Sequence, residues 1–399
     1  MELSLNLYQT MALAVGVFYL GSFLRSKIKL FRDYCIPAPV IGGIIFALVN
    51  LVLHETGTVL LELDTSLQST FMNIFFTSVG FSASIAVVKR GGKALLVFVV
   101  AIAILGIVQT LVGAGLCTVF GIDRQLGIAL GTMSLTGGHG TSAAFAPLLE
   151  EKGIANATTV AVAAATWGLV AGNAFGNPIA RRRIEKMKLA EARTDTNAGD
   201  SVADAVSSVL KQPELDATRG TLALALLFVA LGLGTLISMA FDAFNITFAS
   251  YVGALIVGII IRNICDSREI EIPTQDINVI GTISLNFFLV LAMMGLKLYQ
   301  LADLAIPMIV ILLVQTVITA LMVYFVTFGL MGRDYDAAVL TTGHYGFGMG
   351  ATPNAMANMD ALTSTYGPSE KAYLIIPICG GFLTDIVNVF LITFFMGIL

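Results

Sequence analysis

The chain has 399 residues, of which 57% are hydrophobic and only 12% charged, and its mean hydropathy is +0.88. That balance excludes an ordinary soluble domain and indicates an all-α polytopic membrane protein. The net charge is −4, and no basic stripe interleaved with aromatics offers a footprint for nucleic acid.

In chain order, apolar runs of about 20 residues, enough to cross about 30 Å of hydrocarbon, lie near 5–24, 36–53, 69–88, 94–119 and 156–180. The first, in MELSLNLYQTMALAVGVFYLGSFL, lacks the basic start and small-residue cleavage site of a secretory signal and reads as a retained span. A stretch rich in Ala, Asp, Ser and Thr, 182–219, is too polar to span. It reads as a soluble linker, with a short amphipathic helix around Val202–Leu210. Five further runs lie near 220–241, 247–264, 278–298, 302–331 and 371–398. The chain thus divides into an N-terminal membrane unit (1–181), a linker (182–219) and a C-terminal membrane unit (220–399).

Basic residues beside the spans set the orientation. Arg25, Lys27, Lys29 and Arg32, then Lys89, Arg90 and Lys93, then the cluster Arg181 to Lys188 all fall on one side. The acidic loop His54–Gln68 falls on the other. Both termini are therefore expected outside and the linker in the cytoplasm. Cys35, Cys117, Cys265 and Cys379 have no metal-ligand spacing and read as small packing residues.

Two apolar but glycine-rich stretches remain: LGIALGTMSLTGGHGTSAAFAPLL (126–149) and AAVLTTGHYGFGMGATPNAMANM (337–359). Each is about one span long and interrupted by glycines. A full crossing by either would move the later basic clusters to the other side, so re-entrant hairpins are expected, the first from outside and the second from inside. Their flanks repeat in order. Phe75-Phe76 with Gly80 matches Phe287-Phe288 with Gly295; Val108-Gln109-Thr110 matches Val314-Gln315-Thr316; Gly121-Ile122-Asp123 matches Gly332-Arg333-Asp334; and His139 matches His344. Because five spans is an odd number, the second copy is expected upside down relative to the first, an inverted-topology repeat.

Non-helical backbone at membrane depth survives only inside protein or around a wet cavity. Glycines let such backbone adopt positive φ and approach a ligand, and Thr352-Pro353 stiffens a turn. Two hairpin tips meeting near the midplane would offer N–H groups to an anion and carbonyl oxygens to a small hard cation such as sodium. The competing reading is that the glycines merely allow close helix packing. His139 and His344 could carry protons or act as neutral hydrogen-bonders, and the second role is favoured; neither lies in an HExxH zinc motif. Asp385 is the only carboxylate well inside the last span, which makes it a functional candidate, with Asn388 on the same helix face. The corresponding span of the first half carries Thr166, Asn173 and Asn177 and no carboxylate. Gln109, Gln315, Asn73 and Asn286 are further intramembrane amides, and Lys297 is expected to snorkel to the interface.

The two glycine-rich stretches, with YCIPAPVIGGI and NFFLVLAMMGLKLYQLADLAIPMIVILLVQT, make the sequence resemble the bacterial sodium/glutamate symporter family. The resemblance covers nearly the whole chain, with the linker least alike. It implies L-glutamate as substrate, sodium as coupling ion, no further cofactor, and two inverted five-span halves with re-entrant loops. It also implies a homodimer in the bacterial inner membrane and an elevator-like movement. Carried over by position, the implied substrate site comprises Thr136, Gly137, Gly138, His139, Gly140, Thr141 and Ser142 of the first loop. Gly343, His344, Gly346, Gly348, Gly350 and Thr352 are the candidates of the second. Asp385 and Asn388 would face the α-amino group or a sodium ion, and Asn173 is a third candidate sodium ligand. Two alternatives remain open. One is a sodium- or proton-coupled carrier of another carboxylate such as citrate. The other is a sodium/proton antiporter, for which Asp385 alone would serve and two glycine-rich loops would be superfluous. No nucleophile–base pair suggests an enzyme.

Overall fold

The computed structural model describes residues 2–33, 36–56, 60–189, 217–243, 251–296, 298 and 304–399. Within them every expected apolar run is helical, since lipid leaves backbone polar groups no partner but each other. The first half contains α1 (Leu7–Lys27), α2 (Lys29–Asp33), α3 (Ala38–Glu55), α4 (Ser66–Ser82), α5 (Ile85–Val119), three short helices of the first glycine-rich stretch, α6 (Leu126–Ala129), α7 (Thr132–Leu135) and α8 (Gly138–Glu151), and then α9 (Ala157–Met187). The second contains α10 (Ala217–Ala243), α11 (Val252–Ser267), α12 (Thr274–Met294) and α13 (Ala305–Met322), which runs through a π-helical turn, Val323–Thr327, into α14 (Phe328–Leu330). The second glycine-rich stretch forms α15 (Tyr335–Met349) and α16 (Thr352–Tyr366). The last run is α17 (Glu370–Ile378), a π-helical turn at Cys379–Leu383, and α18 (Thr384–Ile398).

Seven of these helices are long and apolar enough to cross a bilayer, so the chain is a multi-pass membrane protein. α4 and α11 are shorter, at 17 and 16 residues. Local signals explain several ends. α1 starts with a capping box in which Asn6 and Gln9 exchange side-chain and backbone bonds, and α3 starts on Pro37, whose missing N–H costs nothing there.

Three expectations need correction. The third span ends at Ser82 rather than near 88, and α5 begins at Ile85, so Lys89, Arg90 and Lys93 ride on α5 itself. That helix is broken at Gly92, which adopts φ 57° and ψ −151°. The fifth span continues past 180 to Met187, carrying much of its basic cluster. Nor is the protein purely α-helical: Glu2–Leu5 (β1) pairs in parallel with Leu60–Leu63 (β2). Residues 190–216, Cys35 and Lys297 lie outside the described residues; Cys117 and Cys379 are buried free thiols.

The helices pack as two bodies. α1, α3, α4, α10, α11 and α12 form one; α5 to α9 and α13 to α18 form the other. Small residues set the close approaches in both. A Cβ on Gly42 of α3 would lie 2.0 Å from the Val17 carbonyl oxygen of α1, and one on Gly168 of α9 would lie 2.0 Å from that of Met349.

Candidate functional site

In the first glycine-rich stretch the chain turns twice, at Leu130-Gly131 and at Thr136-Gly137, and α8 restarts at Gly138 with φ 65°. The left-handed conformation is cheap only without a Cβ. The second stretch differs from the expectation. α15 runs unbroken through Gly343, Gly346 and Gly348, none of which has positive φ, and the break is confined to Gly350-Ala351. In this stretch the glycines serve packing. A Cβ on Gly346 would lie 2.5 Å from the Ala355 Cα, and one on Gly343 would lie 2.7 Å from Ile376.

The two breaks meet, with Gly138 against the Gly350 carbonyl oxygen. Around them opens a cavity of about 300 Å³ at the seam between the bodies. One wall is Thr136 to Thr141, and a second is Gly350 to Pro353. Asp385, Thr384 and Gly380 of the interrupted last run close a third side, while Phe75, Phe76, Leu285 and Leu289 of α4 and α12 supply an apolar side from the other body. The N-terminus of α8, at Gly138, and that of α16, at Thr352, both open on this space. The first N–H groups of a helix have no intrahelical acceptor and carry partial positive charge, although at α16 Pro353 has no N–H and the Asn354 N–H donates to the Ala351 carbonyl at 3.0 Å, which leaves the N–H of Thr352. Asp385 makes no hydrogen bond or salt bridge among the described residues, and the Thr384 hydroxyl beside it is buried without a partner. The π turn that precedes them is pinned by Thr352, whose hydroxyl donates to the Gly380 carbonyl at 2.5 Å. Among the described lining residues the only titratable side chains are Asp385 and His139.

Of the residues singled out in the sequence, Thr136, Gly137, Gly138, His139, Gly140, Thr141, Gly350, Thr352 and Asp385 line this cavity. Ser142, Gly343, His344, Gly346, Gly348, Asn388 and Asn173 do not. The Ser142 hydroxyl donates back to the Gly138 carbonyl at 2.7 Å and so shapes the restart of α8. Asn388 is held by Thr132: its Oδ1 accepts the Thr132 hydroxyl at 2.7 Å and its Nδ2 donates to the Thr132 carbonyl at 3.2 Å. Asn173 faces elsewhere, donating to the Asp33 carbonyl at 2.9 Å.

The two histidines part company. His139 Nε2 lies 3.0 Å from the Thr166 hydroxyl, which already donates to the Val162 carbonyl, so a neutral His139 donates from Nε2. His344 sits behind Phe347, its Nδ1 2.9 Å from the Thr327 hydroxyl and its ring between Phe98 and Phe347. Sequence reasoning missed the apolar wall. Phe75-Phe76, noted only as part of a repeat, was the available signal, because adjacent large aromatics on a helix cannot both face its own body.

The family model for "Sodium/glutamate symporter" matches residues 3–368. A sodium/glutamate symporter of Haemophilus influenzae is 37% identical over 390 residues, 97% of this chain and 96% of its own. One of Escherichia coli is 37% identical over 398 residues, 98% of each chain. A sodium proton antiporter of Methanocaldococcus jannaschii, of known structure, superposes with a TM-score of 0.43 and 15% identity over 97% of this chain and 98% of its own, too weak a likeness to bear on function. Matched along nearly its whole length by that model and by two symporters at the same identity, the chain belongs to the sodium/glutamate symporter family.

Proposed function

We propose that this protein carries L-glutamate into the cell together with sodium, through the cavity at the seam of its two bodies. The observation that carries the reading is the pairing of two helix N-termini with one unpartnered carboxylate around a single cavity. Glutamate has two carboxylates and one ammonium group. The N-terminus of α8 offers backbone N–H groups to one carboxylate and the Thr352 N–H at the start of α16 serves the other, with the Thr141 hydroxyl in support. Asp385 supplies the negative charge that an α-amino group or a sodium ion needs, and Thr384 adds an oxygen ligand of the kind hard cations take. Asn388 acts through Thr132, and Asn173 and His344 are assigned no ligand here.

The order of elements supports an inverted repeat. α1, α3, α4, α5, the first broken stretch and α9 are answered by α10, α11, α12, α13 to α14, the second broken stretch and α17 to α18. On this reading each broken stretch is a re-entrant hairpin, the first from outside and the second from inside, and both termini lie outside a bacterial cytoplasmic membrane. The body of α5 to α9 and α13 to α18 carries the ligands, and its sliding against the other body is the elevator-like step. The apolar wall of α4 and α12 suits a sliding seam, because it makes no directional bonds that movement would break. The protein is proposed to work as a homodimer. The driving force is sodium entry, each net charge moved being worth about 2.3 kcal/mol per 100 mV.

The test is uptake of radiolabelled L-glutamate into proteoliposomes under an inward sodium gradient, beside a potassium-balanced control and a proton gradient alone. Uptake with sodium only is the expected result. Folded, inserted protein that moves citrate instead, or exchanges sodium for protons without glutamate, would overturn it.

A further inference from the structure

Gln109 is wholly buried on α5 and does not line the cavity, yet its side chain reaches both chain breaks. Its Nε2 donates to the Gly348 carbonyl oxygen at 2.8 Å, two residues before the second break, and lies 3.1 Å from the Thr319 hydroxyl. Its Oε1 accepts the hydroxyl of Thr136, in the first break, at 2.8 Å. The Thr136 hydroxyl also stands 3.3 Å from the same Gly348 oxygen. One amide thus joins two segments that are more than 200 residues apart in the chain. The matching glutamine of the second half does something else. Gln315 donates from Nε2 to the backbone carbonyl of Gln109 at 2.6 Å, and its Oε1 has no partner among the described residues. Gln315 therefore steadies α5 at Gln109 and forms no hydrogen bond to either break.

We infer that Gln109 is a positioning residue that locks the two chain breaks into one unit, so that the α8 and α16 N-termini hold their relative placement whether or not a solute is bound. This rests on the reading that the cavity binds the transported solute. The physical reason lies in the backbone on either side. A helix interruption has few internal bonds to hold it, so its position depends on side chains that satisfy it from outside. A buried amide with both ends engaged is such a hold, and losing it would leave the Gly348 carbonyl and the Thr136 hydroxyl with only the longer 3.3 Å bond between them.

Gln109→Met keeps the length of the side chain and removes both hydrogen-bonding ends. In proteoliposomes it is expected to raise the glutamate KM about tenfold while the maximal rate per folded transporter stays within about twofold. A merely structural glutamine would lower the amount of folded protein and leave KM alone. The second readout needs no substrate: hydrogen–deuterium exchange of the full-length protein in nanodiscs. Gln109→Met is expected to speed exchange about tenfold in the segments 132–142 and 343–355 alike. Thr136→Val, altered only in the first segment, is expected to speed exchange in the second as well. Gln315→Met, which leaves both side-chain contacts of Gln109 in place, is expected to do so far less. Exchange that rises at one break only, or a wild-type KM in folded Gln109→Met, overturns the inference. Should the wild-type protein fail to move glutamate, the functional reading fails by itself, and the exchange experiment still decides whether Gln109 couples the breaks.

Discussion

Gly138 opens α8 at φ 65°, and a Cβ built on it would lie 3.2 Å from the carbonyl oxygen of Gly350. The two interruptions of the membrane body therefore touch through glycine, and their helix N-termini open on a common space.

Gly138→Ala combines two penalties, left-handed strain of about 1–2 kcal/mol and pressure on Gly350. Gly153 provides the comparison, with φ 91° and open space around it. Gly153→Ala is expected to lower the thermal midpoint while sodium-driven uptake per folded protein persists. Gly138→Ala is expected to lose uptake per folded protein by about tenfold or more, with a somewhat larger loss of stability. Equal uptake in the two variants would remove the contact from consideration.

Asp385→Asn keeps the volume and removes the charge. With no hydrogen bond or ion pair to disrupt among the described residues, the fold should hold, and a thermal midpoint near that of the wild type is the check. Sodium-coupled glutamate uptake should fall by about one to two orders of magnitude, as expected for one lost charge-assisted contact of about 1.5–3 kcal/mol. Wild-type affinity and rate in this variant would exclude Asp385 from the site.

Asn388 and Thr132 form a closed pair of bonds inside the protein. Asn388→Ala is expected to cost about 1–3 kcal/mol, because it strands buried polar groups. Thr132→Val should cost less. The double variant should fall short of the sum, the sign of a direct interaction, when midpoints of detergent-solubilised protein are compared. Strict additivity would contradict the pairing.

Gly42→Val forces α3 away from α1, since even a Cβ would reach 2.0 Å from the Val17 carbonyl oxygen. The expected effect is overpacking of at least about 1–3 kcal/mol, seen as a lower yield of folded protein. Gly42 lies in the body that supplies only the apolar wall, so the glutamate KM of the surviving fraction should stay within about twofold. A large KM change with normal stability would place this contact in the transport machinery instead.

Much of this architecture was legible in one dimension. Hydropathy and length located the spans, because a chain in lipid must bond its own backbone and only long apolar helices do so. The two glycine-rich stretches and the isolated Asp385 stood out for the same reason, as features costly in lipid unless protein surrounds them. The family was legible too, since its motifs are contiguous.

What the tertiary structure decided is which of those residues meet. Along the sequence Gly138 and Gly343 look alike. Only folded neighbours show that the first takes positive φ at a break, while the second stays helical against Ile376. His139 and His344 occupy matching motifs, yet one lines the cavity and the other is sealed behind Phe347. Asn388 shares a helix face with Asp385 but is claimed by Thr132, 256 residues away. Periodicity reports which side of a helix is polar. A side chain's role depends on the partner that reaches it, and in a bundle whose halves interleave that partner comes from far along the chain.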